Sequence, residues 1–253
     1  MKAMVLAAGL GTRLRPLTND RPKALVTVAG RTMLEIVLAR LRRFGVGEVI
    51  VNTHHYDEMI REYLAANKNF GMRIEISQEE ELLDTGGGLK KAAWFFLEGK
   101  KPEDSSLAPF ILHNVDILST IDIASMVEFH RQQGALATIA GQDRETKRYL
   151  LFDEHGILCG RRQGQDGDLK LVRPVGSSHA LAYSCIQVIS PLLFAKITET
   201  GAFSIIDAEL NMVSQGEKIA SFRADGAYWR DLGRPETVAG AARDIESGVF
   251  RAD

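Results

Sequence analysis

Apolar and polar positions along the chain switch between two periods. Lys2–Ala8 is a nearly unbroken apolar run of strand length, while Thr32–Phe44 places Met33, Leu34, Val37, Leu38 and Leu41 on one helical face. Glu48–Asn52 reads as a second strand, Asp57–Ala66 as a helix and Met72–Ser77 as a third strand. Gly88–Leu97 reads as a helix, Phe110–His113 as a fourth strand, Ile121–Gln133 as a helix and Ala135–Ala140 as a fifth strand. Strand–helix alternation at this spacing needs crossover connections. It predicts an α/β fold, a mixed and mostly parallel sheet flanked by helices on both faces, with its ligand crevice at the carboxyl ends of the strands.

From Arg148 the pattern changes. Tyr149–Asp153 and Ile157–Gly160 flank the turn Glu154-His155-Gly156 and predict a hairpin, and Gly164–Asp168 predicts a second turn. His179–Ile189 is the longest β-like run, Ser190–Phe194 begins like a capped turn or helix, and Ser204–Val213 and Pro235–Glu246 read as helices. No fixed-period repeat and no linker rich in Pro, Gly or Ser interrupts the chain, so residues 1–253 are expected to form a single domain with a change of character near residue 140.

Composition narrows the classes. A net charge of −2 and a pI near 6.3 fit neither a polybasic nucleic-acid binder nor an acidic tail. With 45% hydrophobic residues the chain is too apolar for a disordered protein. Cys159 and Cys185 form no metal or CxxC spacing, which favours a reducing compartment. No run approaches the ~20 apolar residues of a membrane helix, and the N-terminus lacks a signal-peptide pattern. A cytoplasmic protein without nucleic-acid or membrane partners is expected, as a monomer or small homo-oligomer. The six histidines show no zinc spacing, and no nucleophile elbow or Cys–His neighbourhood supports covalent catalysis.

The first strand runs into Gly9-Leu10-Gly11-Thr12-Arg13-Leu14-Arg15-Pro16-Leu17-Thr18-Asn19-Asp20-Arg21-Pro22-Lys23. Glycines let the backbone approach a ligand, and Arg13, Arg15, Arg21 and Lys23 face only Asp20 within the segment, so a polyphosphate is the natural partner. A dinucleotide fingerprint would need glycine where Leu14 stands, and a P-loop would need Gly-Lys-Ser/Thr where Gly11-Thr12-Arg13 stands. A solvated basic loop with turn glycines is the alternative. Further on, Glu79-Glu80-Glu81-Leu82-Leu83-Asp84-Thr85-Gly86-Gly87-Gly88 follows the third strand and opens a helix. Asp116 stands just beyond the apolar run Phe110–Leu112, and Asp231 precedes the helix at Pro235; each is either a metal ligand or a cap.

Leu6-Ala7-Ala8-Gly9-x-Gly11-Thr12-Arg13-x-x-Pro16-Leu17-Thr18, with Pro22-Lys23-x-Leu25 and Val28-x-Gly30, resembles the signature of the sugar-1-phosphate nucleotidyltransferases, which join a nucleoside triphosphate to a sugar 1-phosphate and release pyrophosphate. The resemblance covers almost the whole chain. It implies a Rossmann-like, nucleotide-diphospho-sugar-transferase-like sheet without the β-helix domain of longer relatives, a nucleotide-binding half (1–140) and a sugar-binding half (141–253). It places Leu6, Ala8, Gly9, Gly11, Thr12 and Arg13 along the nucleotide, with Arg13 and Lys23 as the catalytic cations on the phosphates, their side chains facing solvent. Asp84, Gly86 and Gly87 resemble the second nucleotide loop. Asn114-Val115-Asp116 resembles the family's Asn-Gly-Asp, with Val115 where glycine is usual, and Trp229-Arg230-Asp231-Leu232-Gly233-Arg234-Pro235-Glu236 resembles its Trp-x-Asp-x-Gly-x-Pro-Glu. Asp116 and Asp231, one carboxylate from each half, would hold Mg²⁺. Asn114 and Arg173 would meet the sugar phosphate; Val172-Arg173-Pro174 stands where the family often has Glu-Lys-Pro. Within the family, Leu82–Gly88 is most similar to the N-acetylmuramate 1-phosphate uridylyltransferases, followed by the mannose 1-phosphate guanylyltransferases, so UTP or GTP is the expected donor. A metal-dependent glycosyltransferase or a non-catalytic nucleotide-sugar-binding regulatory homologue are the alternatives; the first leaves the Arg13/Lys23 loop unexplained.

Overall fold

A computed structural model describes residues 1–164 and 167–251. The expected turn at Gly164–Asp168 lies partly outside these residues. The chain forms β1 (Lys2–Leu6), β2 (Thr27–Val28), β3 (Arg31–Thr32), α1 (Met33–Arg43), β4 (Glu48–Thr53), α2 (Asp57–Ala66) and β5 (Arg73–Gln78). It continues with α3 (Asp84–Lys91), α4 (Ala93–Leu97), β6 (Phe110–Asn114), β7 (Ile117–Ser119), α5 (Ile123–Gln133), β8 (Ala137–Gln142), β9 (Arg148–Asp153), β10 (Leu158–Gln163) and β11 (Leu169–Leu171). Last come β12 (Ser178–Ile189), α6 (Leu193–Lys196), α7 (Ile205–Ser214), β13 (Ile219–Arg223), β14 (Trp229–Asp231) and α8 (Pro235–Glu246). Among the described residues no helix is long and apolar enough to cross a membrane. The fold class is a mixed α/β sheet with parallel core strands and flanking helices.

These elements gather into two compact units, one of residues 1–83, 113–121 and 227–253 and the other of 84–112 and 122–226. In the first unit β1, β4 and β5 run parallel, with Leu6 opposite Asn52 at the end of the β1 ladder. The apolar positions that predicted α1 are all buried, and the Thr32 hydroxyl caps it by accepting from the Glu35 N–H at 3.1 Å. β14 pairs antiparallel with β7, setting Asp231 opposite Ile117. These three-residue strands carry too little pattern to be seen locally. Their pairing is made by the tertiary fold.

In the second unit β13 joins β8 in parallel, while β12 runs antiparallel to both β8 and β9, and the β9–β10 hairpin extends to β11. The helix expected over Gly88–Leu97 starts earlier, at Asp84, and breaks at Ala92 between α3 and α4. Three glycines are poor helix formers, but burial against α7 overrides propensity here. Phe96, Phe110 and Phe194 stack as the aromatic centre of this unit, the first two with ring centroids 3.8 Å apart.

Three buried titratable groups set a pH dependence. Burial lowers His113 and His130 to about 4, and burial raises Glu209, which is fully enclosed and accepts from Gln187 Nε2 at 3.3 Å, to about 8. Between the unfolded acid and histidine values the unfolded chain binds two protons on the histidines and the folded chain one on Glu209, so stability rises with pH. Above the histidine value only Glu209 counts, and stability falls by about 1.4 kcal/mol per unit until its own pKa is reached. The melting temperature is expected to peak near pH 6.5, at the unfolded histidine value. A Glu209→Gln variant should lose the decline above that pH, and a profile still falling there would show that another group sets it.

Candidate active site

The loop after β1 is a glycine turn wrapped by a lysine stem. Gly11 adopts φ +64°, a conformation that favours glycine, and its carbonyl accepts from the Thr18 hydroxyl at 2.8 Å and from the Leu14 N–H at 2.9 Å. A Cβ on Gly11 would lie 3.2 Å from Lys23 Cβ, and one on Gly9 would lie 3.2 Å from Lys23 Nζ, so the lysine side chain runs across both glycines. Leu6 and Ala8 are buried beneath this turn, whereas Gly9, Thr12 and Arg13 are exposed.

Lys23 Nζ lies 3.2 Å from Asp116 Oδ2, and both side chains are only 13% exposed. Lys23 therefore does not face solvent as expected; Arg13 does. The other carboxylate oxygen, Asp116 Oδ1, is buried and has no hydrogen-bond partner. An acceptor left in this state is costly until a donor, a water or a cation takes it up. Asp116 follows β6, and the preceding Val115 is fully buried, its N–H donating to the Leu6 carbonyl at 3.1 Å. Valine in place of the usual glycine thus fills core space. Asn114 is half-buried and its carbonyl accepts from His113 Nδ1 at 2.7 Å.

Asp231 stands beside Asp116 through the backbone: the Leu232 N–H donates to the Asp116 carbonyl at 2.8 Å next to the Asp231–Ile117 pair. Because residues 227–253 return to the first unit, both carboxylates belong to it although they come from different halves of the sequence. Neither caps a helix. Asp231 Oδ1 accepts from the Gly233 N–H at 2.6 Å, and at the start of α8 it is the Thr237 hydroxyl that accepts from the N-cap Arg234 N–H, at 3.3 Å. A Cβ on Gly233 would sit 2.8 Å from Asp231 Oδ1 and 3.0 Å from Arg13 Nη2, so Arg13 and Asp231 converge over this glycine. Gly233 was signalled by the Asp-x-Gly spacing but not singled out. Gly233→Ala should lower kcat at least about tenfold by displacing Arg13 or Asp231, with the melting temperature held within a few degrees; unchanged kcat would detach this glycine from the site.

The second glycine cluster and Arg173 lie in the other unit. Asp84 opens α3 at φ +57°, exposed, with its carboxylate accepting from the Thr85 N–H at 2.6 Å. Gly86 and Gly87 are buried, and both N–H groups donate to the Phe203 carbonyl, at 2.9 and 3.3 Å. A Cβ on Gly86 would lie 2.4 Å from the Phe203 ring. These glycines therefore give close packing of α3 on the start of α7, and their N–H groups are already committed. Arg173 is engaged as well: its guanidinium pairs with Asp153, and its Nε donates to the Leu158 carbonyl at 3.3 Å, clasping the β9–β10 hairpin. Among the described residues no group of three or more His, Cys, Asp or Glu side chains is placed to hold a metal ion.

Residues 2–150 match the family described as Nucleotidyl transferase. The N-acetylmuramate alpha-1-phosphate uridylyltransferase of Caulobacter vibrioides is 31% identical over 97% of this chain and 97% of its own length. The mannose-1-phosphate guanylyltransferase of Mycobacterium tuberculosis is 28% identical over 98% of this chain and 65% of its own. A solved UDP-glucose pyrophosphorylase from Acinetobacter baumanii superposes with a TM-score of 0.77 at 18% identity, covering 100% of this chain and 95% of that one, which is a likeness of fold. By sequence match over more than half its length and by near full-length kinship, the chain belongs to the nucleotidyl transferase family, among the sugar-1-phosphate nucleotidyltransferases.

Proposed function

We propose that this sugar-1-phosphate nucleotidyltransferase uses UTP or GTP together with Mg²⁺, that Arg13 and Lys23 are its catalytic cations, and that residues 1–140 bind the nucleotide while 141–253 receive the sugar. The observation that carries the reading is the convergence, in one compact unit, of Lys23 on Asp116 and of Arg13 on Asp231 around Gly9, Gly11 and Gly233. Relatives with uridylyl and guanylyl names support the two candidate donors. A cytoplasmic setting and the sugar-phosphate contacts of Asn114 belong to the same proposal. Arg173 is assigned to hairpin stability, since its partners are already within its own unit.

A sugar 1-phosphate has a second pKa near ~6 and is mostly a dianion at neutral pH. No general base is needed. Its phosphate oxygen attacks the α-phosphorus, the bond from that phosphorus to the bridging oxygen breaks, and the electron pair leaves with pyrophosphate. The obstacle is gathering anions, which calls for fixed cations. Lys23, held along the glycine turn and against Asp116, presents its ammonium to the phosphates with little freedom to lose. Arg13 is exposed and can follow the charge that builds on the leaving pyrophosphate. Asp116, through its unpartnered Oδ1, and Asp231 would hold Mg²⁺, which is commonly bound by one or two carboxylates plus substrate phosphates. When bound, that ion supplies positive charge against the phosphate oxygens.

The test measures pyrophosphate release with UTP and GTP, each with and without a panel of sugar 1-phosphates. Release only when both substrates are present is expected. Release from triphosphate alone, or none with any pair, would overturn the reading.

A further inference from the structure

The run Glu79-Glu80-Glu81 looks uniform in sequence, yet Glu79 is only 2% exposed while its two neighbours lie on the surface. Its carboxylate is fully used. Oε1 accepts from Asn52 Nδ2 at 2.7 Å and Oε2 from the Leu83 N–H at 3.0 Å. The backbone of Glu79 is fixed too, its N–H donating to the Thr53 carbonyl at 2.7 Å and its carbonyl facing His54 Nδ1 at 2.8 Å. Asn52, itself 3% exposed, turns its Oδ1 to the Ala7 N–H at 2.7 Å. The β1–β4 ladder ends at the Leu6–Asn52 pair, and at the next residue, Ala7, the Asn52 side chain supplies the acceptor.

We infer that Asn52 and Glu79 are positioning residues for the nucleotide: a buried hydrogen-bond relay that holds Ala7, at the head of the glycine loop, and Leu83, the residue before Asp84, in fixed register. This inference rests on the proposal that the glycine loop Leu6–Thr12 lines the nucleotide. The relay has one polarity. A carboxylate only accepts, so Asn52 must turn its amide nitrogen toward Glu79 and its oxygen toward Ala7. Glutamine at position 79 cannot serve both neighbours, because its single oxygen leaves an NH₂ group facing either the Asn52 amide or the Leu83 N–H. Flipping Asn52 only moves the donor–donor conflict to Ala7. Exchanging the two roles removes it: with Asn52→Asp and Glu79→Gln together, the aspartate accepts from Ala7 and from the glutamine NH₂, and the glutamine oxygen accepts from Leu83.

The experiment measures the Kd of UTP and GTP by calorimetry, and KM for each substrate, in the full chain and three variants. Glu79→Gln and Asn52→Asp singly are expected to weaken triphosphate binding about tenfold or more, the scale of one lost hydrogen bond to a charged group, and to raise KM for the triphosphate but not for the sugar 1-phosphate. The double variant should return to within about threefold of wild type. If a single variant does not fold, the double variant is still expected to fold and bind. Wild-type affinity in Glu79→Gln, or a double variant no better than the worse single one, overturns the relay while leaving the nucleotide reading intact. A wild-type chain that binds neither triphosphate overturns both.

Discussion

Lys23→Ala is expected to lower kcat/KM by at least ~10²-fold, the scale of losing one preorganised charge at a reacting phosphate. The side chain does two things that alanine cannot: it crosses Gly9 and Gly11 to place Nζ beneath the glycine turn, and it neutralises Asp116. Since Asp116 would then have no partner on either oxygen, the variant should also lose about 1–3 kcal/mol of stability. Arg13→Ala, at an exposed position, should match the kinetic loss without the stability loss. Steady-state kinetics beside thermal melts separate the two effects. Near-normal turnover in either variant would remove that residue from the catalytic set.

Asp116→Asn and Asp231→Asn are expected to abolish Mg²⁺-dependent turnover while melting close to wild type. An asparagine oxygen can still accept from Lys23 at position 116 and from the Gly233 N–H at position 231, so the local hydrogen bonds survive. What is lost is negative charge, which a hard dication requires. Titrating Mg²⁺ against activity and against protein binding checks this; Asn variants active at ordinary Mg²⁺ would leave both residues as turn-formers.

The local elements were readable where one period runs long enough. α2 and α8 begin and end where periodicity and Pro235 put them, and α1 within one residue, because each has a continuous apolar face and its own start or stop signals. β7, β13 and β14 were not, since three to five residues acquire strand identity only from a partner far away in sequence. The same limit applies to the site. Glycines, cations and carboxylates stood out as residue types, and the family resemblance selected among them. Which cation meets which carboxylate, however, depends on how residues 227–253 pack. Gly86 and Gly87 looked like ligand-facing backbone because glycine permits two different things, approach of a ligand and approach of an aromatic ring, and the chain around them does not say which. Phe203, more than 100 residues away, packs on Gly86 and accepts from both N–H groups.

The antiparallel pairing of β14 with β7 bears on how this enzyme is born. On the ribosome Arg13, Lys23 and Asp116 emerge long before Asp231, and the strand that carries it is missing until translation has passed residue 231. A nascent chain therefore displays its cationic loop with half of its carboxylate pair, and β7 waits with an open edge while the whole second unit folds. Chains released before Tyr228 should be recovered as non-productive species that expose this edge, and a separately supplied peptide spanning 227–253 is the piece that would complete them.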